Sequence, residues 1–66
     1  MDMATVDSEA RVEPGSRIDD SAVIWRGTHV RENAEIGAGT SLGEFVYVGP
    51  GASIWRNCKV QKGAMI

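Results

Sequence analysis

Cysteine and histidine are nearly missing from this 66-residue chain, which carries one of each, Cys58 and His29. A lone cysteine excludes an intrachain disulfide, and one cysteine with one histidine does not make a structural zinc site. Aromatic residues are also scarce, at two Trp, one Tyr and one Phe. No apolar run approaches the ~20 residues of a membrane span. The first ten residues hold three acids where a secretory leader would need a basic end and an apolar stretch. No membrane is therefore expected as a partner, and the expected address is the cytoplasm. Seven Lys or Arg stand against nine Asp or Glu, a net charge of −2, which leaves no broad cationic field to recruit nucleic acid. With two prolines and no Ser/Gly-rich stretch there is no linker, and residues 1–66 read as a single domain. A chain this short buries only about 60% of the surface its unfolded form exposes. Since neither a disulfide nor a metal is available to staple it, oligomerisation is the remaining route to stability.

What the chain does have is a repeat. Aliphatic residues recur at every sixth position, at Val6, Val12, Ile18, Ile24, Val30, Ile36, Leu42, Val48, Ile54, Val60 and Ile66. Two positions before each stands a small or modest residue: Ala4, Ala10, Ser16, Ala22, Thr28, Ala34, Thr40, Val46, Ala52, Cys58 and Ala64. A spacing of two puts both members on the same face of an extended segment, whereas a period of six fits neither a helix nor a long alternating strand. The position three before each aliphatic is Gly or Asn at Gly15, Gly27, Asn33, Gly39, Gly51, Asn57 and Gly63, and otherwise Met3, Glu9, Ser21 or Phe45. Gly and Asn tolerate the positive φ of a sharp corner. One corner per hexad, closing after three, predicts an all-β triangular solenoid with an 18-residue coil. Its narrow interior would admit one large and one small side chain per strand.

This pattern resembles the hexapeptide-repeat proteins, and the resemblance runs from about Ala4 to Ile66. It implies a left-handed parallel β-helix; the hand comes from the resemblance, since parallel crossovers are ordinarily right-handed. Eleven hexads at three to a turn make about 3.7 coils. Within the family, the segments Val23-Ile24-Trp25-Arg26, His29-Val30-Arg31-Glu32-Asn33-Ala34-Glu35-Ile36-Gly37, Ser41-Leu42-Gly43 and Val46-Tyr47-Val48-Gly49-Pro50 resemble bacterial nucleotide-sugar N-acetyltransferases. The resemblance implies acetyl-coenzyme A as donor, a nucleotide-linked sugar as acceptor, and homotrimers whose clefts hold the two. Because both ends look uncapped, end-to-end stacking of copies is a further expectation. No metal is implied: the three-histidine zinc site of the related γ-class carbonic anhydrases has no counterpart in a chain with one His. Gly37-Ala38-Gly39-Thr40 lacks the Gly-Lys-Ser/Thr ending of a phosphate loop.

Residues eighteen apart should stand in vertical columns. One column is Arg11, His29, Tyr47 and Met65, which puts the only histidine beside the only tyrosine. Histidine titrates near neutrality and is suited to take a proton from an amine attacking a thioester. His29 also falls where the resemblance has a histidine, so it is the candidate catalytic base, with a plain surface or interface role as the alternative. Tyr47, Trp25 and Glu44 are candidate substrate-binding residues; packing is the alternative for Tyr47. A second column, Ser8, Arg26, Glu44 and Lys62, reads as a ladder of alternating charge. Trp25 and Trp55 should point outward, across Gly43 and Gly37 respectively, as interface anchors or stacking platforms. Cys58 reads as core. Two departures from the family pattern stand out: Arg26 where Trp is commonly followed by His, and Gly43-Glu44-Phe45 where Gly-Gln-Asn is common. Phe45 at a corner implies either a remodelled turn or support from a neighbouring chain. The sequence thus supports an acetyltransferase-like enzyme or, alternatively, a catalytically inert β-helix acting as an oligomeric structural or binding module.

Overall fold

The computed structural model of the chain describes residues 4–66. Ten two-residue strands follow one another at six-residue intervals: β1 (Thr5–Val6), β2 (Arg11–Val12), β3 (Arg17–Ile18), β4 (Val23–Ile24), β5 (His29–Val30), β6 (Glu35–Ile36), β7 (Ser41–Leu42), β8 (Tyr47–Val48), β9 (Ser53–Ile54) and β10 (Lys59–Val60). They form three parallel sheets, β1-β4-β7-β10, β2-β5-β8 and β3-β6-β9. Every register is eighteen residues, as in Thr5↔Val23, His29↔Tyr47 and Ile36↔Ile54. The chain is the three-sided parallel β-helix that the hexad predicts, the left-handed form that the resemblance implied.

The strands are short because each hexad offers only one aliphatic to the interior before the chain must turn. Ile24, Val30, Ile36, Leu42, Val48 and Ile54 are buried, together with Ala22, Ala34 and Val46 from the small series. Cys58 packs against this cluster from its margin, as its place in the small series predicts. Each fully buried aliphatic contributes about 1.5–3 kcal/mol relative to exposure.

Eight corners have positive φ, at Gly15, Gly27, Gly39, Gly51, Gly63, Asn33, Phe45 and Asn57. All are positions the repeat marks as corners; Met3 lies outside the described residues. Glu9 and Ser21 turn by another device, an aspartate two residues earlier. Asp7 Oδ1 accepts from the Glu9 N–H at 2.8 Å, and Asp19 Oδ2 accepts from the Ser21 N–H at 2.9 Å. A side chain that imitates a backbone acceptor folds a turn without the left-handed region.

Phe45 keeps the corner conformation: its φ is 58°, so the turn is not remodelled. The ring lies in the space that a side chain on Gly27, one coil earlier, would occupy. The Arg26 guanidinium carbon stands 5.8 Å from the ring centroid. Asn33 over Gly15 and Asn57 over Gly39 repeat the arrangement with an amide in place of the ring.

Thr28 and Thr40 are buried polar members of the small series. The Thr28 hydroxyl donates to the Gly43 carbonyl at 2.7 Å and accepts from the Val46 N–H at 3.2 Å. Gly43 and Val46 are the two ends of a turn, positions whose carbonyl and amide meet directly at other corners, as between Asp7 and Ala10 at 2.9 Å. The threonine hydroxyl is thus inserted into the turn one coil above it. Thr40 does the same for the carbonyl of Trp55 at 2.6 Å and the amide of Cys58 at 3.2 Å.

Candidate functional site on the second sheet

The sheet β2-β5-β8 presents Arg11, His29 and Tyr47 outward in one column, extended by a bridge from Tyr47 to Met65. Parallel pairing in eighteen-residue register makes the two rings neighbours, and they meet edge to face with centroids 5.7 Å apart at 86°. Backbone register fixes the two residues as neighbours in the column.

The histidine is also held from below. His29 Nε2 lies 2.7 Å from Glu13 Oε2, and both side chains are about three-quarters shielded from solvent. An ionised carboxylate only accepts, so opposite it Nε2 is the donor, and in the neutral tautomer that this favours Nδ1 keeps the lone pair. Glu13 stands at the corner after β2 and reaches diagonally to the strand above. Arg11 Nε approaches the same carboxylate oxygen at 3.5 Å.

Tyr47 is pinned at its hydroxyl. Arg31 Nη1 donates to Tyr47 Oη at 2.7 Å, while Arg31 Nε and Nη2 donate to the two carboxylate oxygens of Glu32 at 3.0 and 3.3 Å. Glu32 first, and Tyr47 second, raise the Arg31 pKa above its ordinary value. The Glu32 carboxyl is lowered, by its own backbone N–H first and by Arg31 next. Glu13, His29, Tyr47, Arg31 and Glu32 therefore make one chain of contacts across two corners and two strands.

The structure does not bring every sequence candidate into this group. Trp25 and Glu44 lie on the corner between the first and second sheets. Glu44 pairs with Arg26 at 3.9 Å, and no hydrogen bond or ion pair joins it to the His29 group among the described residues. The Arg26–Glu44 contact confirms part of the charge ladder. Trp25 and Trp55 point outward, 49% and 77% exposed. The glycines expected to receive their rings are otherwise occupied. A side chain on Gly37 would meet the backbone of Trp55 and Arg56 at 2.6 Å, and one on Gly43 the backbone of Lys62 at 2.9 Å. Those glycines admit the next coil, not a ring.

Glu13, Arg31 and Glu32 were missing from the sequence-based candidates. Glu13 is sixteen residues before His29, and a column rule of eighteen passes over it; a search of the diagonals would have found it. Away from the candidate site, a depression on the third sheet is lined by Arg17, Asp19, Glu35 and Gly37. It contains none of the candidates. Among the described residues no three His, Cys, Asp or Glu side chains are placed to hold a metal ion, and no helix is long and apolar enough to cross a membrane.

A family model described as bacterial transferase hexapeptide (six repeats) matches residues 15–50, more than half of the chain. The matched span includes β3 to β8, His29, Tyr47, Arg31 and Glu32, and begins two residues after Glu13. Searches of curated proteins and of solved structures return no match.

Proposed function

Because the chain belongs to the bacterial transferase hexapeptide family, we propose that it is an acyltransferase that moves an acetyl group from acetyl-coenzyme A to the amine of a nucleotide-linked sugar, with His29 as general base. The observation that carries this reading is the 2.7 Å contact between His29 Nε2 and Glu13 Oε2. A histidine whose proton is fixed on one nitrogen by a carboxylate presents a basic lone pair at the other and gains stabilisation when it becomes an imidazolium. In the transfer, Nδ1 takes the proton of the attacking amine as the new C–N bond forms. The C–S bond of the thioester breaks, and the departing sulfur takes up a proton.

Tyr47 fixes the other side of the imidazole, and Arg31 fixes Tyr47. Trp25 and Glu44 would line the acceptor side from the adjoining corner. The site is open in one protomer and would be closed by a second, in a homotrimer. The donor supplies the thioester. For its phosphates the face offers little, since Arg31 is held by Glu32 and Tyr47, and Arg11 lies against Glu13.

A second reading, a non-catalytic β-helix module, draws on Arg26, Glu44 and Phe45. These departures from the family pattern satisfy one another within the chain. Calorimetric titration with coenzyme A and acetyl-coenzyme A, followed by a thiol-release assay on wild type and His29→Ala, separates the two. Saturable binding with turnover lost in His29→Ala supports the enzyme. Absence of heat at millimolar ligand from a folded oligomer leaves the module.

A further inference from the structure

The cations of this chain fall into two sets. Arg11, Arg17, Arg26 and Arg31 each have a carboxylate within 4.0 Å: Glu13, Glu35, Glu44 and Glu32. Arg56, Lys59 and Lys62 have none among the described residues, and no acid occurs anywhere in residues 45–66. All three are exposed.

Their placement is regular. Lys59 points outward from β10, Arg56 stands on the corner that enters this strand, and Lys62 on the corner that leaves it. Six residues separate the outer two, so the row is at most about 20 Å long. The outward column below Lys59 is Ser41, Val23 and Thr5, all uncharged. Beneath Lys62 stands Glu44, already paired with Arg26. Glu44 is the one acid directly beneath the row and is shared with Arg26, so most of the field of the three cations is open to an external anion. Trp55 precedes Arg56 and is more exposed than Trp25 or Phe45. An exposed indole beside unpaired cations suits a ligand with a flat ring at one end and phosphates along its length.

We infer that Trp55, Arg56, Lys59 and Lys62 form a binding site for a base-bearing diphosphate, the base stacked on Trp55 and the phosphates spread along the three cations. Both the nucleotide part of coenzyme A and a nucleoside diphosphate sugar have this chemistry. The site does not use His29, so its failure and that of the proposed transfer are read separately.

The test titrates the full chain with adenosine 3′,5′-bisphosphate, uridine diphosphate and inorganic pyrophosphate, following tryptophan fluorescence and heat. At least one nucleotide should bind more tightly than pyrophosphate, and which one does so assigns the row to donor or acceptor. Lys59→Gln with Lys62→Gln should weaken binding about tenfold or more, and raised salt should weaken it further. Trp55→Phe should abolish most of the fluorescence change, whereas His29→Ala should keep it. Undiminished binding in the double lysine variant overturns the inference, as does equal binding of pyrophosphate and nucleotides. Failure of every ligand to bind also overturns it, and salt-sensitive self-association in its place would assign the cations to the acidic surface of a second copy.

Discussion

Phe45 lays its ring over Gly27, eighteen residues earlier, and each residue explains the other. The phenylalanine occupies a left-handed backbone conformation that disfavours bulky side chains, and the bare glycine gives its ring a seat. Gly27→Ala should therefore destabilise the fold by about 1–3 kcal/mol through strain at its own positive φ and collision with the ring. Phe45→Asn, which suits the same corner, should cost less than Gly27→Ala. Urea unfolding of the two variants ranks them, and the reverse order would sink the explanation.

Thr28 and Thr40 should be intolerant of an isosteric change. Thr28→Val keeps the volume but leaves the Gly43 carbonyl and the Val46 amide without their bridge. A loss of about 1–3 kcal/mol per site is expected, with Thr→Ser retaining most of the stability. Equal denaturation midpoints for the Val and Ser variants would show that the hydroxyl is dispensable.

If His29 is the base, His29→Ala should lower kcat about 10²–10⁴-fold. Glu13→Gln should act more mildly, because a carboxamide both donates and accepts and no longer dictates which ring nitrogen is protonated. Its signature is a changed pH profile of turnover with the circular-dichroism spectrum intact. A general loss of folded protein would instead give Glu13 a structural role.

Acid should loosen particular corners. Asp19 is lowered from its ordinary value of 3.8 by the Ser21 hydroxyl first and the Ser21 amide next, and Glu32 from 4.5 by its backbone amide and then Arg31. A carboxyl whose folded pKa lies below its unfolded one adds stability that is complete above the unfolded value and disappears as pH falls through the folded value. Melting temperature should therefore decline from about pH 5 downward, and Asp19→Asn should flatten part of that decline. An identical acid slope in the variant would remove Asp19 from the account.

The fold was legible because the hexad leaves little choice. Ile24, Val30 and Ile36 give the strand spacing, and Gly15, Asn33 and Gly51 mark one edge of the prism. The site was only half legible. A column rule finds His29 beside Tyr47 because backbone register fixes both, but Glu13 reaches its partner through side-chain length, along a diagonal that periodicity does not record. Thr28 and Thr40 read merely as small residues, since their second role depends on a turn in the following coil. For Phe45, the sequence signalled an anomaly and the coil below supplied the remedy. Trp25 and Trp55 were placed outward correctly, yet their expected glycine seats were taken by neighbouring backbone.

The eighteen-residue register also means that this chain can lengthen or shorten without losing its facets only in quanta. Removing one hexad between His29 and Tyr47 would carry the tyrosine around the prism to the facet now held by Ser41, and a single such deletion would dismantle the pair while leaving every interior aliphatic in phase. Gain or loss of a whole coil in some other part of the solenoid would preserve both. Interior packing and surface alignment thus tolerate different insertions, the first any multiple of six and the second only multiples of three times six.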